Sequence, residues 1–291
     1  MKIIKILGGL GNQMFQYAFY IAMKNRFPEQ KVVIDISCFK GYNLHNGFEL
    51  NRIFDVNYQV ATAKEIKDSA YPYFNYKFWK YGKYILPRRK TMYIEKDFLH
   101  YDDHVFDDNG KVYFDGYWQN ILYFKKYQNV INKIFTFKPF NEDRNIRLSK
   151  RISSCSCLSI HIRRSDYLKH KLYKGLCNLD YYKKAISYVK EKHTIDMACI
   201  FSDDIPWCKE FILPLLDKEE IIFVDWNTGE TSYRDMQLMS ICKYNIIANS
   251  SFSWWGAWLN DNTDKLVVAP KKWINRKSNF EMNMDKDWIR I

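Results

Sequence analysis

The chain has 291 residues, 47% hydrophobic and 27% charged, which excludes a disordered polymer and leaves room for one large or two ordinary domains. No window approaches about 18 uninterrupted apolar residues, so a spanning helix is not expected, and the opening Met1-Lys-Ile-Ile-Lys-Ile-Leu7 is too short for a secretory leader. A net charge of +12 asks for an anionic partner (nucleotide, nucleic acid or membrane surface) without choosing among them.

Residues 2–7 read as a strand that runs into Gly8-Gly9-Leu10-Gly11-Asn12-Gln13. A helix apolar nearly all round follows from Met14 to Met23, and 31–38 read as the next strand. Glycines at such a turn let backbone N–H groups approach a phosphate at the helix start. The spacing is neither a dinucleotide fingerprint nor a P-loop, and a tight structural turn would look the same. Residues 69–94 interleave Tyr71, Tyr73, Phe74, Tyr76, Phe78, Trp79, Tyr81 and Tyr84 with Lys77, Lys80 and Lys83, ahead of Arg88-Arg89-Lys90, and hold no acid. Three readings stand: a half-packed helical insertion, a face lying on an anionic leaflet, and a surface for single-stranded nucleic acid. Residues 112–118 suggest a strand and 121–135 a helix. The polar, charged run 138–154, with Pro139 and Asn141, marks the domain boundary, giving domains 1–150 and 151–291.

Beyond the boundary the pattern is regular. Strands are expected at 157–163, 197–202, 220–225, 244–249 and 266–270. Helices are expected at about 179–192, 206–216, 231–242 and 252–261. That alternation predicts a parallel α/β sheet covered on both faces. Three strands end in polar sets: His161-Ile-Arg163-Arg164-Ser-Asp166, Ser202-Asp203-Asp204, and Ser250-Ser251-Phe252-Ser253. Right-handed crossovers place all three on one rim, where open sheets bind ligands. Each set suits part of a nucleotide. Arg163 and Arg164 can neutralise a pyrophosphate, Asp203 or Asp204 can accept from guanine or ribose, and the serines at a helix start can donate to phosphate. Each also has a plain structural reading: Asp203-Asp204-Ile-Pro206 starts a helix, Ser250-Ser251 caps one, and Asp166 braces Arg164. Seven cysteines, odd in number and several inside apolar runs, suggest reduced buried thiols in a cytosolic protein.

Gly8-Gly-Leu-Gly-Asn-Gln-Met-Phe-Gln-Tyr-Ala18, His161-Ile-Arg-Arg-Ser-Asp-Tyr167, Asp235-Met-Gln-Leu-Met239 and Ile246-Ile-Ala-Asn-Ser-Ser-Phe-Ser-Trp-Trp-Gly-Ala-Trp-Leu259 resemble the bacterial α-1,2-fucosyltransferases, glycosyltransferase family 11. The likeness extends to Pro270–Trp273 and is thin over about 40–150. Tyr244 stands where those enzymes often have histidine. The resemblance implies a GT-B-like fold of two Rossmann-like domains facing across a cleft, with a C-terminal tail free to pack back on the first. It implies inverting transfer of fucose from GDP-β-L-fucose to the 2-hydroxyl of a terminal β-galactoside, in surface polysaccharide or O-antigen synthesis. His161 and Asp204 would then contact guanine, and Gly9, Gly11, Arg163 and Ser253 the pyrophosphate. Asn12, Gln13, Asp203, Ser250, Ser251 and Phe252 complete the expected donor set, and Arg163, Arg164 and Asp166 the catalytic one. No cofactor and no metal are expected, because the one Asp-x-Asp string, Asp285-Lys-Asp287, follows no strand. The expected partners are the donor and a galactoside, free or lipid-linked, with peripheral contact to an anionic membrane and no nucleic acid. The expected location is the cytoplasm or the inner face of the plasma membrane.

Overall fold

A computed structural model describes residues 1–42, 44–73, 75–82, 85–217, 219–276 and 284–291. Of the residues singled out in the aromatic stretch, Phe74, Lys83 and Tyr84 lie outside the described ones. The chain divides into two compact units, Met1–Phe137 and Lys138–Ile291.

The first unit is built on a parallel sheet in the order β2-β1-β4-β3. Its elements in chain order are β1 (Lys2–Lys5), α1 (Leu10–Arg26), β2 (Val32–Asp35), α2 (Leu50–Ile53), α3 (Ala63–Ala70), β3 (Met92–Ile94), β4 (Val112–Asp115) and α4 (Gln128–Ile134). One layer of core joins Ile3, Val33 and Tyr113 of the strands to Ile66 and Ala70 of α3. Another is aromatic: Phe19 of α1 stacks on Trp118 at 4.2 Å and meets Phe114 and Tyr123 edge-on. The expected helix over 121–135 is shorter than its pattern suggested. Two 3₁₀ turns, Ile121–Tyr123 and Lys125–Tyr127, precede α4, the first opened by the Asn120 side chain accepting from Leu122 N. Strand β3 escaped the sequence reading because three residues are too few to show an alternation.

The second unit is a six-stranded parallel sheet in the order β10-β9-β8-β5-β6-β7. Chain order runs α5 (Asp143–Ser153), β5 (Cys157–Ile162), α6 (Leu179–Lys192), β6 (Met197–Ser202), α7 (Ile205–Trp207), β7 (Glu220–Val224), α8 (Tyr233–Ile241), β8 (Tyr244–Ile246), α9 (Ser251–Trp258), β9 (Leu266–Ala269) and β10 (Ile289–Arg290). Period-two alternation sends Leu158, Ile160 and Ile162 of β5 against α6, and Cys157 against α5 and α8. Both faces are therefore covered, as the alternating pattern required. The single helix expected at 206–216 is instead α7, a π-helical turn and a 3₁₀ turn, broken where Pro214 cannot supply a helical N–H.

The boundary between the units needs correction. The division falls at Phe137/Lys138, ahead of the expected 150/151. The polar run that resembled a linker is held to α8: buried Arg234 donates to Lys138 O, Asn141 and Glu142, and Asn145 bonds Asn227. Leu148 and Ile152 of α5 complete that core layer. The last described residues of the C-terminal tail belong to the second sheet, where β10 pairs in parallel with β9 and Trp288 packs on Trp254.

Candidate active site

The second sheet reverses direction at β5. From β5 the chain moves through β6 to β7 on one side, and β8 and β9 are laid down on the other. Ligands of open α/β sheets sit outside the carboxyl ends at such a switch point. Register pairs Ile162 with Ser202 and Ile160 with Ile246, so the three expected polar sets do emerge on one rim.

The loop after β5 is fixed from below by the two aspartates after β6. Asp203 accepts from Arg164 N at 2.8 Å and Ser165 N at 3.2 Å, and Ser165 Oγ donates to its carbonyl. Asp204 caps α7 by accepting from Trp207 N at 3.2 Å and pairs with Arg164 Nε at 3.0 Å. The Arg164 guanidinium also lies 4.0 Å from the Trp207 ring centroid. Arg164 is thus wedged between an indole and a carboxylate. Both aspartates are already committed to the protein itself, Asp204 as the helix start that the sequence suggested and Asp203 as an acceptor for the β5 loop.

Arg163 is placed differently. Its Nε faces Asp166 at 2.9 Å and its Nη1 faces Asp203 at 3.3 Å, and a third of its side chain stays exposed. The expected Asp166–Arg164 brace is an Asp166–Arg163 brace instead, because residues three apart in this turn face each other. Nη2 takes part in neither pair, so Arg163 can still present donors to an anion. Next to it His161 is buried, its Nδ1 meets no partner among the described residues, and its ring centre is 6.0 Å from that of Phe252. Burial, helped by the Arg163 charge, pushes its pKa down to about 3. The imidazole is therefore neutral near pH 7, with one ring nitrogen able to accept and the other to donate.

The third set begins α9. Ser250 is its N-cap and accepts from Phe252 N at 3.3 Å, and Ser251 and Phe252 are half-buried. Tyr167, a residue the sequence reading left unassigned, donates its hydroxyl to Asn249 O at 3.2 Å and stacks on Tyr173 at 4.6 Å, pinning the β5 loop beside this helix start. Ser253 is fully buried, its hydroxyl directed at Ala248 O and Ser250 O. Its side chain serves the helix rather than the rim. Trp254, Trp255 and Trp258 are core, as Trp254 stacks on Trp258 at 5.8 Å.

In the first unit the glycine loop is a built turn. Gly8 has φ +103°, and a Cβ there would lie 2.9 Å from Asn12 Nδ2. Gly9 is the N-cap of α1 with no side chain to cap it, and Gly11 is buried in the first turn. Asn12 accepts from Gln119 Nε2 at 2.8 Å, tying the ends of β1 and β4 together. Gln13 departs from expectation: it is fully buried, donates to Gly8 O and Gly47 O, and accepts from Glu49 N. With both amide hydrogens committed, Gln13 shapes the loop and has none left for a donor.

Two Rossmann-like parallel units, the second with a braced, partly exposed arginine at its switch point, have the build of a GT-B glycosyltransferase. A crystal structure of NodZ alpha-1,6-fucosyltransferase soaked with GDP-fucose shares that fold, with a TM-score of 0.50 at 15% identity over 91% of this chain and 96% of that one. The chain belongs to glycosyl transferase family 11, whose sequence profile matches residues 1–291. It is 36% identical to an Escherichia coli alpha-1,2-colitosyltransferase over 99% of this chain and 98% of that protein. It is 32% identical to the O-antigen biosynthesis glycosyltransferase WbnK of Escherichia coli, with 98% of each covered. The mouse galactoside 2-alpha-L-fucosyltransferase Sec1 is 24% identical over 89% of this chain and 64% of that protein.

Proposed function

We propose that this glycosyltransferase moves L-fucose from GDP-β-L-fucose to the 2-hydroxyl of a terminal β-galactoside, inverting the anomeric centre and using no metal, in surface polysaccharide or O-antigen synthesis. The observation that carries the reading is Arg163: a braced, partly exposed guanidinium at the switch point, beside the start of α9. In a single displacement the acceptor oxygen bonds to C1 of the sugar as the bond from C1 to the β-phosphate oxygen breaks. The acceptor's hydroxyl proton leaves to a base. Negative charge grows on the departing diphosphate, so donors fixed there before reaction favour the transition state over the ground state. Arg163 and the N–H groups at the start of α9 supply such donors. Neutral His161 suits guanine, whose edge offers both donors and acceptors. Arg164, Asp203 and Asp204 act as positioning residues, holding Arg163 in place.

A second donor has support of its own. The 36% identical relative is a colitosyltransferase, and colitose is fucose without its 3-hydroxyl. Incubating the protein with GDP-fucose or GDP-colitose and a panel of β-galactosides, with product linkage read by NMR, separates the two. The expected product is an α-1,2-fucoside formed equally well in EDTA. Transfer from GDP-colitose alone, a different linkage, or dependence on Mn²⁺ overturns the corresponding part.

The same reading extends to contact with an anionic membrane. Among the described residues no helix is long and apolar enough to cross a bilayer. The stretch 69–94 does expose Ile85 (84%), Tyr81 (61%), Tyr71 and Phe78 among exposed Lys77, Lys80, Arg88 and Arg89, the composition of an interfacial surface.

A further inference from the structure

The first unit carries a pocket of about 210 Å³ at the carboxyl ends of β3 and β4, with Trp79, Arg88, Glu95, Lys96, Asp115 and Tyr117 in its lining. Pockets for drug-sized ligands run to roughly 300–1,000 Å³, so this one has the scale of a single sugar ring.

Its polar groups are set before any ligand arrives. Asp115, the last residue of β4, accepts from Trp79 Nε1 at 3.0 Å and pairs with Lys5. The Lys5 ammonium is buried and lies 4.1 Å from the Trp79 ring centroid. Glu95, one residue past β3, accepts from Tyr117 N at 2.6 Å and from Trp118 N at 3.1 Å. Gly116 makes that approach available, since a Cβ there would fall 2.6 Å from Glu95 Cβ and 2.8 Å from its Oε2. Three ionisable groups thus crowd the ends of neighbouring strands, where apolar filling would be at least as stable. Such an expense at a strand end points to a ligand.

Asp115 is paired with Lys5, and Glu95 shares the lining with Arg88 and Lys96, so the pocket offers donors and acceptors together rather than charge of one sign. Indole and phenol faces beside fixed hydrogen-bonding side chains match a neutral polyol with one apolar C–H face. We infer that this pocket takes the terminal hexose of the acceptor, its C–H face against Trp79 and Tyr117 and its hydroxyls donating to Asp115 and Glu95. The inference rests on the acceptor half of the proposed function and not on the donor.

The test is saturation-transfer NMR on the full chain with methyl β-D-galactopyranoside and no nucleotide present, alongside the acceptor KM. Tyr117→Ala and Glu95→Gln are the variants. Tyr117 is 40% exposed, so its truncation leaves the core intact, and in Glu95→Gln the new side-chain carbonyl would still accept from the two amides. Wild type is expected to saturate the galactoside. Each variant is expected to weaken the signal and raise acceptor KM about tenfold, the scale of losing one anchoring contact, with GDP binding unchanged. No galactoside signal from wild type, an unchanged signal and KM in both variants, or a parallel loss of GDP binding overturns the assignment. Failure of GDP-fucose as donor leaves the NMR arm intact, so the two proposals fail separately.

Discussion

At the scale of single residues the adjacent arginines divide their labour. Arg164 is held by Asp204 and the Trp207 face, whereas Arg163 is braced by Asp166 and Asp203 and remains partly exposed. Arg163→Ala is expected to lower kcat about 10²- to 10³-fold, the scale of removing one fixed transition-state donor, with unfolding little changed. Asp203 would keep its amide partners in that variant, so no buried charge is orphaned. Arg163→Lys should recover little, since an ammonium cannot hold Asp166 and a phosphate with one planar fork. Steady-state kinetics with a thermal melt checks this. Near-wild-type kcat in Arg163→Ala would remove the arginine from the mechanism. Arg164→Ala is expected to act through placement and to cost stability as well.

At the scale of elements, what could be read in the sequence was where strands end, and what could not was which way a side chain turns there. His161, Asp203 and Ser250 gather on one rim because a parallel sheet with right-handed crossovers leaves them no alternative. Gln13 and Ser253 lie in the expected loop and helix start, yet both point inward. Sequence position fixes a backbone amide but not the hydrogen bonds its side chain finds thirty residues away, as Gln13 does at Gly47. The Asp235-Met-Gln motif carried family likeness, and its neighbour Arg234 turned out to clamp the run 138–142. The carboxylates of the first-unit pocket went unread because β3 gave no periodic signal and Gly116 shows its purpose only beside Glu95. The stretch 69–94 is partly packed, with Trp79 and Tyr73 anchored by hydrogen bonds, and partly an exposed apolar and basic face. Replacing Lys77, Lys80, Arg88 and Arg89 by glutamine should abolish co-sedimentation with phosphatidylglycerol vesicles, since each basic residue near such a surface contributes about 1 kcal/mol. Sedimentation of the variant with those vesicles at wild-type level would remove the membrane surface from the account.

At the scale of the whole molecule, buried ionisable groups make stability depend on pH in a direction that can be worked out. Burial pushes Glu95 up to about 7 against the pull of the Tyr117 and Trp118 amides, and burial pushes Asp235 up to about 7 against its bond from Asn227. Between the ordinary carboxyl range and pH 7 the folded chain keeps protons at these two positions that the unfolded chain has released. Stability from them is therefore full at low pH and is lost as pH rises through about 7. His161 acts in the opposite sense: burial depresses it to about 3, so the unfolded chain takes up its proton first and stability falls as pH drops below the ordinary histidine range. A Glu95→Gln/Asp235→Asn double variant removes only the first effect. Its melting temperature relative to wild type should rise from pH 5 to about pH 7 and level off above it, because wild type must bury two charges that the amides never carry. His161 titrates alike in both proteins and cancels in the difference. A difference that stays flat, or shrinks, across that range in scanning calorimetry would mean that the two carboxyls are already ionised in the folded chain at pH 5. Their charge would then be compensated in place, Glu95 by the two amides it already holds and Asp235 by the buried amide network around Asn227 and Asn145.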